Sequence, residues 1–224
     1  MPKSAISFRI PTRLWDAFKG QTDSLFLSRA PFLDYMVRRE LANLREELKG
    51  LKQSTRAKRH VAGVLKRQDL TSVNIEVQPE TADALREATA AHNMGRDAFM
   101  SRLVIFLRST DSLLRYLEVP LTVQRRGIGS SLEDMPTSPL GAMEAVRDDP
   151  LFYVRAHVED VHGCGIYRAP LPSSADWAAC YLPDDQVPNT PANRRRLKEE
   201  AEFLAIFSDE PQVDAKRTAR RSSK

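Results

Sequence analysis

The residue types most used in catalysis and metal binding are sparse in this chain. They are four histidines and two cysteines: His60, His92, His157, His162, Cys164 and Cys180. The stretch from His157 to Cys180 could supply soft metal ligands, but its spacing matches no paired Cys-x-x-Cys pattern. A Cys164 nucleophile with a histidine base is conceivable, yet no nucleophile turn flanks it. The expected roles are therefore buried or surface side chains, with a turn at residues 162–165.

Acidic and glycine-rich patterns indicate no catalytic site either. Acidic residues occur in adjacent pairs such as Asp148-Asp149, whose side chains diverge in a helix or a strand. The chain has no phosphate-cradling Gly-x-x-x-x-Gly-Lys run and no dinucleotide fingerprint. We therefore expect no enzyme, no metal site and no cofactor.

One pattern of residues occurs twice, 67 positions apart. Residues 6–10 and 73–77 alternate apolar and polar side chains, which is typical of a half-buried strand. Two helical stretches follow each run, and the second spans about 28–41 in the first copy and about 95–108 in the second. The register has no gap. The sequence therefore predicts two strand–helix–helix units.

Strands this short need a partner, because their N–H and C=O groups must be paired. The simplest solution is an antiparallel ribbon made of the two strands. Its apolar face would rest on the helices and carries Ile6, Phe8, Ile10, Val73, Ile75 and Val77. Its outward face carries Ala5, Ser7, Arg9, Ser72, Asn74 and Glu76.

Residues 4–37 and 71–104 resemble the ribbon–helix–helix (MetJ/Arc/CopG-like) superfamily of DNA-binding proteins, in a tandem form with two units in one chain. In that family two strands of a dimer enter the major groove, and outward side chains contact base edges. The resemblance implies that the six outward residues contact bases. The expected fold class is mainly α with a short antiparallel two-stranded ribbon, a tandem pseudo-dimer, plus a small C-terminal α+β module.

The same family binds phosphates at the start of its second helix, where backbone N–H groups meet the positive end of the helix dipole. The resemblance implies phosphate contacts at Ser28 and Arg29 in the first unit and at Gly95 and Arg96 in the second. Ser28 also suits an N-cap. The family often has a glycine just before this turn. Its absence here leaves the shape of the interhelix loop open.

Basic charge is concentrated in the repeat half of the chain. Residues 1–110 hold 19 Lys or Arg and 12 Asp or Glu, whereas residues 111–192 hold 6 and 12. The segment 49–68 contains seven basic residues and no acidic one. It is either a solvated linker helix or an arm that follows DNA phosphates. On the second interpretation the phosphate-contacting residues include Lys52, Arg56, Lys58 and Arg59.

The second half of the chain carries no motif of a known family. Residues 151–158 and 165–169 resemble strands, and residues 177–182 form an apolar run suited to a third strand or a buried segment. Thr190-Pro191 is typical of a helix start. We expect a small α+β module with an acidic surface, whose role is self-association, partner binding or effector sensing.

The expected organisation has six parts. They are a first unit at 1–48, a basic helical connector at 49–70, a second unit at 71–118, a linker at 119–138, the C-terminal module at 139–208 and a disordered basic tail at 209–224. No apolar run approaches the length of a membrane span, and the N-terminus lacks an apolar signal core, so we expect a cytoplasmic protein.

These features together predict a sequence-specific double-stranded DNA-binding protein, most simply a transcriptional repressor, which forms a homodimer through the C-terminal module if self-association is the role of that module. One alternative is an antitoxin-like protein whose module binds a toxin. Another is a plasmid-transfer accessory factor that bends DNA for a nicking enzyme. An enzyme built on residues 111–224 is a further alternative without a motif behind it.

Overall fold

The computed structural model of the chain describes residues 4–121 and 138–207. This part of the chain is mainly helical, with one two-stranded antiparallel sheet. The strands are β1 (Ser4–Pro11) and β2 (Leu70–Val77). The helices are α1 (Thr12–Ser24), α2 (Arg29–Glu47), α3 (Thr55–Lys66), α4 (Pro79–Ala91), α5 (Arg96–Arg108), α6 (Asp111–Tyr116), α7 (Pro139–Asp148), α8 (Phe152–His162) and α9 (Pro191–Phe207), with a 3₁₀ helix at Ser173–Ala178.

The predicted antiparallel ribbon is confirmed. Its pairing runs from Ser4 opposite Val77 to Pro11 opposite Leu70. Alternate side chains of both strands point into the apolar core, and all six predicted inward residues are buried. The two-residue alternation in the sequence thus gives the ribbon one buried face and one solvent-exposed face.

The two strand–helix–helix segments keep the register of the repeat. Helices α1 and α4 are each 13 residues long and begin 67 positions apart, at Thr12 and Pro79. Helices α2 and α5 also begin 67 positions apart, at Arg29 and Arg96. Helix α2 then continues to Glu47, whereas α5 ends at Arg108.

The loops between the paired helices have the same shape, although neither has a glycine at its left-handed position. Phe26 and Asn93, at equivalent positions, have left-handed φ angles of 55° and 51°. The N–H of Leu27 donates to the Thr22 carbonyl at 2.9 Å. The N–H of Met94 donates to the Thr89 carbonyl at 3.0 Å.

The helices pack mainly across the two segments. Helix α2 of the first segment packs on α4 and β2 of the second, and α5 of the second packs on β1 and α1 of the first. Leu33, Met36 and Val37 of α2 share one apolar core with Leu103 and Val104 of α5. Neither segment therefore buries its apolar face without the other.

Helix α3 connects the two segments. The Ser54 hydroxyl accepts a hydrogen bond from the Ala57 N–H at 3.0 Å and caps the helix. Its apolar stripe is buried at Ala57, Val61 and Leu65. Leu65 packs with Trp177 of the 3₁₀ helix, so the connector is a packed element.

The predicted strands of the C-terminal region are wrong. Residues 152–162 form helix α8, and residues 166–168 form a turn. The run 177–182, expected as a third strand or a buried segment, is not a strand, since Trp177 lies in the 3₁₀ helix, and Trp177, Ala178 and Cys180 are buried. Residues 138–207 contain no strand, so the β part of the expected α+β module is absent there. Leu151, Val154 and Val158 have the three- and four-residue spacing of one helix face. In so short an apolar run, the sequence alone does not distinguish this helical spacing from the two-residue alternation of a strand.

Residues 165–169 are hydrogen-bonded to the end of α2 and do not pair as a strand, because the side chain of Glu47 satisfies two of their backbone N–H groups. The Glu47 carboxylate accepts hydrogen bonds from the N–H groups of Tyr167 (3.0 Å) and Arg168 (2.5 Å). Burial raises the pKa of Glu47, and the two N–H groups lower it in part. On the other side, the buried Arg102 donates to the carbonyls of Ile166 and Ala169.

A second buried ionic group ties α8 to α2. The Glu40 carboxylate is fully buried, and it accepts hydrogen bonds from Arg155 and, at 2.8 Å, from the Tyr167 hydroxyl. Burial raises the pKa of Glu40, although Arg155 and the Tyr167 hydroxyl act in the opposite direction. Arg155 also pairs with Asp149 at 3.0 Å.

The chain divides into two compact units, Met1–Pro183 and Asp184–Lys224. In the second unit the Thr190 hydroxyl accepts a hydrogen bond from the Asn193 N–H at 3.0 Å, which confirms the predicted helix start. The predicted tail at 209–224 and most of the predicted linker at 119–138 lie outside the described residues. The predicted borders between the six parts stay predictions.

Candidate nucleic-acid interface

The ribbon presents six side chains to solvent in three cross-strand pairs. The pairs are Ala5 with Glu76, Ser7 with Asn74, and Arg9 with Ser72. All six residues are exposed, as the alternation predicts. Hydroxyl, amide, carboxylate and guanidinium groups therefore lie side by side on a narrow two-stranded surface.

Arg9 is held at the edge of the ribbon by a residue that the sequence did not single out. Its backbone N–H donates to Asp97 Oδ1 at 3.2 Å, and its Nε–H donates to Asp97 Oδ2 at 3.3 Å. The Arg9 side chain is still 52% exposed. Within the described residues its two Nη groups have no hydrogen-bond partner, so the outer edge of the guanidinium can bind another molecule.

The predicted phosphate residues lie at the starts of α2 and α5. Ser28 and Gly95 are the N-cap residues, and neither provides a side-chain cap hydrogen bond. The Ser28 hydroxyl is therefore not used to cap α2. Arg29 forms an ion pair with Asp23 across the loop, whereas Arg96 is exposed at the first turn of α5.

A cavity of about 370 Å³ opens beside the ribbon edge at the start of α5. Its walls include Arg9, Arg86, Arg96 and Asp97, together with apolar residues of α3 and α4. Arg9 pairs with Asp97 and Arg86 pairs with Asp83, so among the described residues Arg96 is the arginine of this cavity without an ion pair, and the net charge around the opening is positive. Arg96 and Arg9, which the sequence assigned to phosphate and base contacts, are thus brought to one place.

Arg86 is a further cation at this surface that the sequence prediction missed. The repeat contains a signal for it, since the equivalent position of the first unit is Lys19. Each of these residues pairs with the aspartate three positions earlier: Lys19 with Asp16 at 2.7 Å and Arg86 with Asp83 at 2.6 Å.

The basic residues of the connector do not all face the same surroundings. Lys52, Arg56 and Arg59 are exposed. Lys58 is half-buried, and its Nζ donates to the Asn93 side-chain oxygen at 3.2 Å. Lys58 is therefore engaged in holding α3 to the α4–α5 loop, and the exposed basic residues of α3 are Arg56, Arg59 and Lys66.

The histidines and cysteines are dispersed. Burial raises the pKa of the Cys180 thiol to about 12, and burial followed by the Glu47 carboxylate raises that of Cys164. A His162 ring nitrogen lies 3.1 Å from the Leu117 carbonyl, and a His92 ring nitrogen lies 2.9 Å from the Leu51 carbonyl. In residues 4–121 and 138–207, no three His, Cys, Asp or Glu side chains gather as metal ligands would.

No helix within residues 4–121 and 138–207 combines the length and the apolar composition needed to cross a bilayer.

The comparisons with known proteins leave the geometry of the site as the basis for its function. No protein-family model matches the chain, and neither the curated proteins nor the solved structures contain a significant match.

Proposed function

We propose that this protein binds double-stranded DNA in a sequence-specific manner and acts as a transcriptional repressor. In this proposal its two strand–helix–helix segments form an intramolecular ribbon–helix–helix pseudo-dimer. The ribbon enters the major groove. The observation that carries the proposal is the solvent-exposed row of six side chains on a ribbon whose other face is fully buried.

The strand register supports the pseudo-dimer. Two identical strands related by a twofold axis must pair at their centre through equivalent residues. Ser7 and Asn74 are equivalent in the 67-residue repeat, and they are also cross-strand partners. The pairing is therefore centred where a twofold axis between the two segments would pass.

The helix packing supports it independently. Helices α2 and α5 each pack on the strand of the other segment, and α1 and α4 pack on those same two helices. Two chains that form a dimer around a shared ribbon need such reciprocal contacts, because neither chain has a complete core alone. In this protein one polypeptide supplies both halves.

The chemistry of the outward side chains suits base edges. Arginine can donate two hydrogen bonds to guanine O6 and N7, which suits the outer edge of Arg9. Asparagine can bind adenine N6 and N7, as Asn74 would, and glutamate can accept from cytosine N4, as Glu76 would. Ser7 and Ser72 would pair with several edges, whereas Ala5 would make apolar contact.

The surrounding cations would hold the DNA backbone. Arg96 at the start of α5, and Arg56 and Arg59 on α3, are exposed and would contact phosphates, whereas Arg86 on α4 is exposed but already pairs with Asp83. Each phosphate neutralised releases counterions, so affinity would fall as salt rises. Loss of one such arginine should weaken binding to all sequences alike.

Selection of bound fragments from random duplex DNA tests the proposal. A single enriched site is expected, and it should be asymmetric, because the two strands present different side chains. Asn74→Ala should then weaken binding to that site without changing affinity for a scrambled duplex. No enriched sequence, or equal binding of the two duplexes by the wild type, would exclude sequence-specific reading by the ribbon.

A further inference from the structure

The loop between α1 and α2 holds an aromatic side chain in solvent. Phe26 is 96% exposed, and its φ of 55° lies in the left-handed region, which is costly for a bulky residue. The equivalent residue of the second segment is Asn93, a type that tolerates this conformation. Contacts within the described residues do not explain a phenylalanine at this position, and strain of this kind often marks a functional site.

The equivalent loop of the second segment is covered by the chain itself. The His92 carbonyl accepts a hydrogen bond from the Gln53 N–H at 3.0 Å, and the Asn93 amide donates to the Gln53 carbonyl at 2.8 Å. The connector before α3 therefore occupies this face of the second segment. Within the described residues no segment covers the corresponding face of the first segment, where Leu25 is 58% and Phe26 96% exposed.

An apolar groove of about 830 Å³ lies directly beside Phe26. Its walls are formed by the neighbours of Phe26, by α2 and by α7, through Leu25, Leu27, Phe32, Leu140 and Met143. Phe26 does not line the groove. One surface thus carries a protruding aromatic ring next to a recess that is wide enough to receive such a ring.

The charges around the groove have both signs. Glu144 and Arg147 of α7 line it and pair at 3.1 Å, and the Asp23–Arg29 ion pair flanks the loop. In a twofold interface the same patch meets itself, so it must contain its own complement in shape and in charge. A knob beside a recess, with acidic and basic groups around both, meets this requirement.

We propose that two copies of this chain associate through this surface, with Phe26 of each copy inserted into the groove of the other. We assign a second copy as the occupant because the same patch carries both the Phe26 ring and a recess for such a ring, and both acidic and basic side chains. No residue of the groove belongs to the ribbon. The inference therefore stands whether or not the ribbon binds DNA.

Sedimentation equilibrium of the full chain tests this interface. The wild type should be a dimer, and Phe26→Asn and Met143→Glu should each weaken self-association by at least about tenfold. Phe26→Asn should fold normally, because asparagine occupies the same backbone conformation at position 93. Leu204→Ser, at another residue that is 61% exposed, is the matched control and should leave the dimer intact.

A mixture of the two variants tests reciprocity. The Phe26→Asn copy keeps its groove and the Met143→Glu copy keeps its ring, so their heterodimer regains one full contact and should form in preference to either homodimer. A wild type that stays monomeric up to its solubility limit would overturn the proposal. So would a dimer that Leu204→Ser disrupts and Phe26→Asn does not, or variants that fail to complement each other.

Discussion

A single ion pair distinguishes the two ends of the ribbon. The repeat places Glu76 at the position equivalent to Arg9, and Ala30 at the position equivalent to Asp97. Therefore only at the Arg9 end does a carboxylate at the helix start, that of Asp97, accept hydrogen bonds from both the backbone N–H and the guanidinium of the strand residue. This arrangement limits the rotamers of Arg9 and leaves its Nη groups without a hydrogen-bond partner among the described residues, so binding of another molecule there would cost less entropy.

Arg9→Ala should cost about 1–3 kcal/mol in binding to the preferred site and relax selectivity at one base pair. The reason is that, on the proposed function, the variant loses a bidentate contact to one guanine. Fluorescence anisotropy with the preferred site and its single-base variants measures both quantities. Arg13→Ala is the control, since it removes an exposed arginine of α1 that lies outside the ribbon. If both variants lose affinity equally for every duplex, Arg9 contributes charge and no base reading.

The buried carboxylate of Glu40 predicts a pH dependence of stability. Its pKa in the folded chain is raised above 4.5, chiefly by burial. The folded state therefore holds the proton more tightly than the unfolded state. Its stabilising contribution is complete below pH 4.5 and is lost as pH rises through the raised pKa.

In Glu40→Gln this titration is removed. Above pH 4.5 the free energy of unfolding of the wild type should fall relative to the variant, by at most about 1.4 kcal/mol per pH unit. Urea unfolding of both proteins from about pH 4 to about pH 8 measures the difference. Glu46→Gln, an exposed position on the same helix, controls for loss of a negative charge. A difference that stays constant over this range would contradict the raised pKa.

At the scale of elements, residue periodicity located the ribbon and the four helices that follow its strands. The two-residue alternation at Ile6–Ile10 and the 67-residue register were sufficient to predict these elements, because both patterns reflect the apolar residues that must face the core. Asp97 and Arg86 were missed as neighbours of the ribbon. Their proximity depends on how α4 and α5 cross the other segment, and no local pattern specifies that crossing.

The repeat also diverges in matched pairs that only the structure reveals. Asp34 accepts a hydrogen bond from the Gln78 N–H at 3.2 Å, just after β2. The equivalent residues are Ser101 and Pro11, and proline has no N–H to donate. An aspartate is thus present at position 34, where the Gln78 N–H needs an acceptor, and absent at position 101, where the equivalent residue Pro11 has no N–H.

The C-terminal region was mispredicted because its order comes from buried polar groups of α2 and α5. Glu47 and Arg102 satisfy donors and acceptors of residues 166–169, so this segment needs no strand partner. In the sequence these two residues are ordinary members of amphipathic helices. Nothing local indicates that they bind a segment more than 60 positions away.

Two glycine substitutions should separate this docking from helix propensity. A Cβ at Gly165 would overlap the Glu47 carboxyl group, whereas a Cβ at Gly63 in α3 has no atom within 4 Å. Gly165→Ala should therefore destabilise the fold by about 1–3 kcal/mol as Glu47 leaves its two N–H donors. Gly63→Ala should stabilise it by about 0.5–1 kcal/mol. Urea unfolding measures both, and a neutral Gly165→Ala would show that Glu47 does not hold the segment.

At the scale of the whole molecule, the two proposals together determine how DNA sites should be arranged. One chain has one ribbon with unlike strands, so it should read one asymmetric site. A twofold interface through Phe26 relates two such ribbons by a rotation of 180°. Two copies of the site should therefore occur as inverted repeats, with centres separated by about 10–10.5 base pairs or a multiple of it.

Duplexes with two sites in inverted or direct orientation and varied spacing test this arrangement. The wild type should bind the inverted pair cooperatively, whereas Phe26→Asn should bind each site singly with unchanged affinity and lose the cooperativity. Cooperative binding to direct repeats would require a head-to-tail contact and would contradict the twofold interface, although the ribbon could still read each site. Loss of single-site binding in Phe26→Asn would instead mean that the α1–α2 loop contacts DNA, because the six outward residues of the ribbon are unchanged in that variant.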